Sequence, residues 1–381
     1  MKDNKQLVFL SFGDVFYDQR LGRTIKTLQD AGFVIHVFAR HLFSEKLQSN
    51  YRTTRYKPLF KDGPLSYIEF NLRALIFLLF RSRTVVCSID LDTLISAIVA
   101  KKLKGHTVIY DAHEYFVESP ELVNRPFIRN LWNKIGNYCI PRSDYAYTVG
   151  EEIADEMEKK YKIGFEVVRN IPEEVDLASI SNVSIPNIEQ KQYILYQGAL
   201  NVGRGIESLI EVMQFYPELH LVIAGKGDLE LTLKKMTAEL HIDNITFTGN
   251  LLPIQLKSLT QHAWIGVNLL ENMGKSYYLS LANKFFDYIQ ANIPQICIDF
   301  PEYRKINSKY NFAVMAPDCS VSTLKTCIET LINDSHYYDL LKANTVIASK
   351  ELNWNAESKK LTHLYQKWTS KKRTIINHPK V

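Results

Sequence analysis

The chain has 381 residues, 46% of them hydrophobic and 23% charged, with a formal net charge of +5. That mix excludes a disordered chain, and the length suffices for two domains with large cores. The mild positive balance suits an anionic substrate or an anionic membrane surface, with no nucleic-acid partner expected. The five cysteines are scattered without a CxxC pair. Neither a disulfide framework nor a zinc site is expected, and a reducing cytoplasm is the simplest compartment.

The opening "MKDNKQLVFLSFGD" has one short apolar run and no cleavage-like site, so it does not read as an export signal. The run at 7–12 reads as a buried strand ending at Gly13. After Asp18, Leu21, Ile25 and Leu28 share one helical face, with Gly32 where a C-terminal cap belongs. Further strands are expected at 33–39, 84–89, 107–112, 145–149 and 166–170, with helix-like segments between most of them. The longest apolar stretch, 72–80, is far below the ~20 residues of a membrane span. The surrounding "NLRALIFLLFRSR" (71–83) could touch an anionic membrane, but reads first as an ordinary core helix.

The segment 170–192 is polar, holds two prolines and has no sustained period, as befits an interdomain linker. The pattern then restarts. Strands are expected at 193–198, 220–225, 245–249, 264–270, 294–298 and 312–316, and Ile206, Leu209, Ile210 and Met213 follow helical spacing. This alternation implies two α/β, doubly wound, Rossmann-like domains with ligands beyond the carboxyl ends of the strands.

Several strand ends carry chemistry. "GALNVGRG" (198–205) joins a strand to a helix. Gly198 and Gly205 let a backbone approach a ligand, and Arg204 adds a forked cation, so the loop can cradle a diphosphate or be a tight turn. Gly225 and Gly249 close two further strand ends, where a plain βα turn is as ready a reading. In "ENMGKSYYLSLANKFFDYIQANIPQICI" (271–298), Ser280, Asn283 and Lys284 fall at a helix start, an anion site. Asp287, one turn on, suits two hydroxyl hydrogen bonds, as from a ribose. The bland alternative makes Lys284 and Asp287 a solvated pair. His113 and Glu114 in "YDAHEYFVESPEL" can serve as acid–base or hydrogen-bonding groups, although a strand-end histidine is often structural. Gly13 leaves room for a ligand, while Arg20 and Arg23 read as surface residues.

These blocks together resemble the retaining glycosyltransferases of the GT-B fold in sequence family 4 (glycosyl transferases group 1). "YQGALNVGRGIESLI" resembles the family's strand–glycine loop–helix block. "LVIAGKGD" and "ITFTGNL" resemble the next two strand ends, and "SLANKFFDYIQANIPQI" the block that ends the E-x7-E motif. "DAHEY" resembles the N-domain histidine segment. "LNWNAESKKLTHLYQKW" is similar to the segment where the chain crosses back to the first domain. Two positions depart from the family: Ala199 stands where an arginine is frequent, and Leu279 where the first glutamate belongs.

The resemblance implies two Rossmann-like domains facing a central cleft. Residues 1–172 would form the acceptor side, 173–355 the nucleotide-sugar side, and 356–381 a helix returning to the first domain. It implies that Arg204 binds the donor diphosphate with Gly198, Gly205, Asn283 and Lys284, and that Asp287 binds the ribose. His113 would lie at the reacting sugar, with Ser280 and Glu114 also on the sugar side, Gly13 in the donor–acceptor loop, and Gly225 and Gly249 in nucleoside-side loops. It implies a nucleotide-diphosphate sugar, UDP-sugar favoured, no cofactor or metal, and a glycan or lipid-linked acceptor in bacterial surface polysaccharide synthesis. The place of work would be the cytoplasm or the inner membrane face, reached peripherally. A nucleotide-sugar epimerase and a non-catalytic nucleotide-binding partner are the alternatives. A dinucleotide oxidoreductase is disfavoured by the missing GxGxxG fingerprint.

Overall fold

The computed structural model describes residues 5–15, 18–42, 50–119, 122, 125–174 and 192–370. Most of the expected linker, 175–191, lies outside the described residues, as does 371–381. The chain divides into two compact units. Unit 1 comprises Met1–Val117, Glu121–Arg169 and Glu357–Val381, and unit 2 comprises Glu118–Pro120 and Asn170–Ala356.

In unit 1 the strands are β1 (Gln6–Ser11), β2 (Val34–Arg40), β3 (Arg52–Tyr56), β4 (Val85–Ile89), β5 (Thr107–Ala112), β6 (Tyr145–Thr148) and β7 (Glu166–Val167). They form one sheet in the order β3-β2-β1-β4-β5-β6-β7, with every pairing parallel. Its helices are α1 (Gln19–Asp30), α2 (Pro64–Leu79), α3 (Asp90–Lys104), α4 (Pro126–Cys139) and α5 (Glu151–Tyr161). Helix α1 is capped by the Asp18 carboxylate, which accepts from Leu21 N–H, and it buries Leu21, Ile25 and Leu28. Central strand residues such as Phe9, Leu10, Val86 and Ile109 are inaccessible, as helices on both faces of a parallel sheet require.

Unit 2 repeats the plan. Strands β8 (Tyr193–Gln197), β9 (His220–Ala224), β10 (Ile245–Gly249), β11 (Ile265–Asn268), β12 (Gln295–Ile298) and β13 (Ala313–Ala316) pair in parallel in the order β10-β9-β8-β11-β12-β13. The helices are α6 (Ile206–Val212), α7 (Glu230–Glu239), α8 (Pro253–Gln261), the single turn α9 (Lys275–Tyr278), α10 (Asn283–Gln290), α11 (Pro301–Tyr310), α12 (Val321–Asn333) and α13 (Ser335–Glu351). In each unit the strand order reverses beside the first strand. The carboxyl ends of β1 and β8 therefore sit at switch points, where an open α/β sheet leaves its crevice. Gly13 follows the one and Gly198 the other.

The last helix, α14 (Trp354–Ser370), buries Leu361, Leu364, Tyr365 and Trp368. Its rings meet the unit 1 sheet: Tyr365 lies edge-on to Tyr147, and Trp368 stacks on Tyr145 with ring centroids 5.1 Å apart. Near its start, the Glu357 carboxylate accepts from Arg169 N–H at 3.0 Å.

One strand was not expected, and three expectations need correction. Strand β3, "RTTRY", has no apolar run, because it is a half-buried edge strand whose Arg55 pairs with the buried Asp14 at 2.7 Å. Strand β7 covers two residues rather than 166–170. Helix α2 starts at Pro64, and only one of its faces is core: Ser66, Phe70, Ala74 and Leu78 are buried while the opposite face is exposed. Arg20 is no surface residue: it is buried, because its guanidinium is ion-paired inside unit 1.

Candidate functional site

In unit 2 the glycine loop after β8 rests on the end of β9, which in turn rests on the end of β10. Gly198 N–H donates to the Ala224 carbonyl at 2.9 Å, Leu200 N–H to Lys226 O at 3.0 Å, and Gly225 N–H to Gly249 O at 2.9 Å. A Cβ on Gly225 would overlap the Gly198 carbonyl oxygen, and one on Gly227 would overlap the Leu200 carbonyl. Gly225 and Gly227 thus act first as the seat on which the loop is laid, and Gly249 backs Gly225. Gly198, Gly203 and Gly205 all have positive φ, at 131°, 78° and 63°. Those angles let the chain turn sharply from β8 into α6.

Helix α10 delivers the second side. Phe285 and Phe286 are fully buried on its inner face. Each such ring contributes about 1.5–3 kcal/mol, which fixes the rotation of the helix. That rotation turns Lys284 inward: it is 7% exposed, not the solvated partner of Asp287. Its Cε and Nζ occupy the space beside Gly198, 3.6 and 3.7 Å from where a Cβ would stand. The ammonium lies 3.7 Å from the centroid of the Tyr196 ring. Nζ makes no hydrogen bond. Burial, and then the nearby Arg204 guanidinium, hold the Lys284 amine well below the usual lysine range.

Arg204 lies over the Tyr277 ring, 5.0 Å from its centroid, and its Nε is buried without a hydrogen bond. Two cations thus converge at the mouth of the glycine loop, and one of them is desolvated. Such an arrangement is unfavourable in itself and favours an anion.

The other expected residues of unit 2 are nearby but differently engaged. Asp287 Oδ2 accepts from Gln197 Nε2 at 2.9 Å, and Gln197 Oε1 in turn accepts from Thr260. The carboxylate is therefore oriented at the end of β8. Asn283 is exposed, and its Oδ1 accepts from Asn170 at 2.8 Å. Ser280 precedes α10 and neighbours the Tyr303 hydroxyl, which accepts from Ala282 N–H. Leu279 caps the turn α9 and is buried, so no carboxylate stands there.

Unit 1 holds a separate cluster at the ends of β4, β5 and β6. His113 Nε2 lies 3.2 Å from Asp111 Oδ2. Asp111 also accepts from Arg20 at 2.7 Å and from the Tyr147 hydroxyl at 2.6 Å. On the other side, His113 N–H donates to Asp90 Oδ1 at 2.8 Å, and Nδ1 lies 3.9 Å from Asp90 Oδ2. Burial and the Arg20 charge push the His113 imidazolium down. Asp111 and Asp90 outweigh them, leaving its pKa above the ordinary value. Burial would raise Asp111, but Arg20 and His113 hold it below the usual carboxylate range. Burial raises Asp90, and raises Asp92 further with help from Asp90. Asp90 itself adopts φ 55°, a strained angle for a non-glycine residue, where its carboxylate meets the His113 amide. Gly13 and Glu114 are exposed at these strand ends. Among the described residues no group of His, Cys, Asp and Glu could hold a metal ion.

The sequence reading missed Arg20, Asp90, Asp111, Tyr196 and Tyr277. Two signals were present: Asp111, in β5, is two residues before His113, which directly follows the strand, and Arg20 is one and two helical turns from the buried Thr24 and Leu28.

Residues 181–346 match the family profile described as glycosyl transferases group 1. Among solved structures, the chain is similar to a sucrose-phosphate synthase from Thermosynechococcus elongatus (TM-score 0.75, 16% identity, 95% of this chain and 98% of that one). It is similar to HepE of Anabaena in complex with UDP and glucose (TM-score 0.74, 11% identity, 95% and 99%). It is also similar to WaaG, a glycosyltransferase involved in lipopolysaccharide biosynthesis (TM-score 0.66, 13% identity, 94% and 99%). No curated protein sequence matches. The fold is that of the GT-B glycosyltransferases, and the chain carries a glycosyltransferase domain, which makes it an enzyme of that class.

Proposed function

We propose that this enzyme is a retaining, family-4-like glycosyltransferase that takes its sugar from a nucleotide-diphosphate sugar, UDP-sugar first. The observation that carries the reading is the desolvated Lys284 amine, without a hydrogen bond beside Gly198 and held next to a second cation, Arg204. A diphosphate supplies the acceptors and negative charge that this pair lacks. Lys284 thereby stands in for the arginine absent at Ala199. The HepE structure with UDP and glucose supports the choice of base.

In this reading Arg204 and Lys284 bind the diphosphate with the Gly198–Gly205 loop and Asn283, and Asp287, oriented by Gln197, binds the ribose hydroxyls. Gly225 and Gly249 border the nucleoside. His113 contacts the donor sugar, Glu114 and Ser280 are sugar-side, and Gly13 leaves room for donor and acceptor. The bond from the anomeric carbon to the diphosphate oxygen breaks, and the electron pair leaves with the diphosphate, whose growing charge the two cations stabilise. The acceptor hydroxyl adds to the same face of an oxocarbenium-like centre and its proton passes to the leaving diphosphate, so the configuration is retained. The acceptor is a glycan or a lipid-linked glycan of bacterial surface polysaccharide synthesis, met at the inner membrane face. The lipopolysaccharide role in the WaaG description supports that class.

A thermal-shift panel of UDP-, GDP- and ADP-sugars tests the donor, because a ligand selective for the folded state raises apparent stability. UDP-sugars should stabilise the protein and be turned over in the presence of an acceptor extract, and Arg204→Ala should abolish both effects with the fold intact. Full turnover by Arg204→Ala would refute the assignment, and an epimerised donor formed without acceptor would replace transfer by epimerisation.

A further inference from the structure

Helix α2 is apolar on two opposite sides. Ser66, Phe70, Ala74 and Leu78 face the core, while Leu65, Ile68, Leu72 and Ile76 follow the same helical period on the other face. These four outward side chains are 53–56% exposed, and Phe80, directly after the helix, is 90% exposed. A surface helix ordinarily turns charged residues outward, so a continuous outward apolar stripe marks a docking face. The segment before the helix extends it: Leu59 and Phe60 are exposed, and their N–H groups donate to the Glu69 carboxylate, which holds them at the base of the stripe.

Helix α4 has the same construction. It buries Trp132, Gly136 and Cys139 and turns Phe127, Leu131 and Tyr138 outward, with Lys134 among them. The two helices are neighbours, because Tyr67 of α2 meets Trp132 of α4 edge-on with ring centroids 5.2 Å apart. The charge around them is one-sided. Residues 57–83 carry five basic and two acidic side chains, and residues 125–142 carry four basic and no acidic ones. One of the two acids, Glu69, is already ion-paired with Arg73 at 2.9 Å.

We propose that the outward faces of α2 and α4 form a docking surface for an anionic lipid bilayer, with the apolar stripes entering the headgroup–acyl boundary and the flanking lysines and arginines binding lipid phosphates. A protein or a second copy would also cover apolar residues, but the net positive charge of the border, nine basic against two acidic side chains over 57–83 and 125–142, favours a negatively charged membrane. The inference deepens the proposed membrane-side location and rests on it for its biological sense. The surface itself requires no transferase chemistry.

The test is vesicle sedimentation of the full chain at low and high salt. Vesicles containing roughly one-third phosphatidylglycerol should bind the protein, and pure phosphatidylcholine vesicles about tenfold less, with binding falling as salt rises. Leu72→Asp and Ile76→Asp should each weaken binding about tenfold or more, and Lys61→Glu with Lys134→Glu should remove the preference for anionic lipid. All four positions are solvent-facing, and an unchanged melting temperature and circular dichroism spectrum verify folding. Wild-type protein that ignores anionic vesicles overturns the proposal. So does a dimer dispersed by Leu72→Asp without vesicle binding, which would make a second copy the occupant, or a Leu72→Asp variant that binds like wild type. UDP-induced stabilisation is measured in parallel. Its loss with vesicle binding retained would count against the donor reading alone, and the converse against the docking surface alone.

Discussion

Replacement of Lys284 by methionine separates a binding lysine from a structural one, because the two roles give opposite signs. In the folded chain the amine is buried, makes no hydrogen bond and rests on the Tyr196 ring. A buried polar group without a partner costs about 1–3 kcal/mol. A desolvated cation over an aromatic face returns at most about 2 kcal/mol, and less here, because burial and Arg204 drive the amine toward its neutral form. Methionine has nearly the same length and no desolvation cost. The balance is a gain of about 1 kcal/mol, or roughly 2–4 °C for a unit of this size. The same substitution removes a charged donor to the diphosphate, worth about 1.5–3 kcal/mol, so UDP should bind about tenfold to a hundredfold more weakly. Differential scanning fluorimetry with and without UDP, supported by calorimetric titration, reads both effects. The pH dependence adds a check. The unfolded lysine titrates near 10.5 and the folded one well below it, so the unfolded chain binds more protons between those values. Stability from this group should therefore rise with pH across that window, and Lys284→Met should flatten the rise. A variant that melts lower and binds UDP as well as wild type would refute the reasoning.

Asp111→Asn should lower the His113 pKa, read by NMR titration of the imidazole, because burial and Arg20 would then act with only Asp90 opposing them. It should also cost about 3–5 kcal/mol in chemical denaturation, since a buried guanidinium loses its charged partner. Glu357→Gln should be far milder, because an amide oxygen still accepts from the Arg169 N–H and the Arg169 guanidinium, 3.8 Å from Glu357, keeps its 2.7 Å pair with Glu151. Gly225→Ala should destabilise unit 2 by roughly 3 kcal/mol or more and abolish UDP stabilisation, since the new methyl group meets the Gly198 carbonyl at φ 149°. A Gly225→Ala protein with wild-type melting and UDP binding would show that the loop is not seated as described.

The sequence by itself determined the two parallel sheets, because buried strands in such sheets are continuous apolar runs and "LVFLSF", "TVIYDA" and "HLVIAG" leave little choice. It also picked out the glycine loop at 198–205 and the helix start at 283, since a turn with positive φ after a strand needs glycine. It could not show β3, whose "RTTRY" is an edge strand with no apolar pattern and an arginine committed to Asp14. Nor could it show which face a charged residue takes when helix rotation decides it. Phe285 and Phe286 turn α10 so that Lys284 goes inward to Gly198, and the Asp111 carboxylate draws Arg20 out of solvent across 91 positions of chain. For α2 the ambiguity lay in apolar residues on both sides, and only packing against the sheet settled which of them are core. Local chemistry thus fixed the elements and the reactive residue types. Their burial, pairing and protonation depended on contacts distant in sequence, which only the tertiary structure supplies.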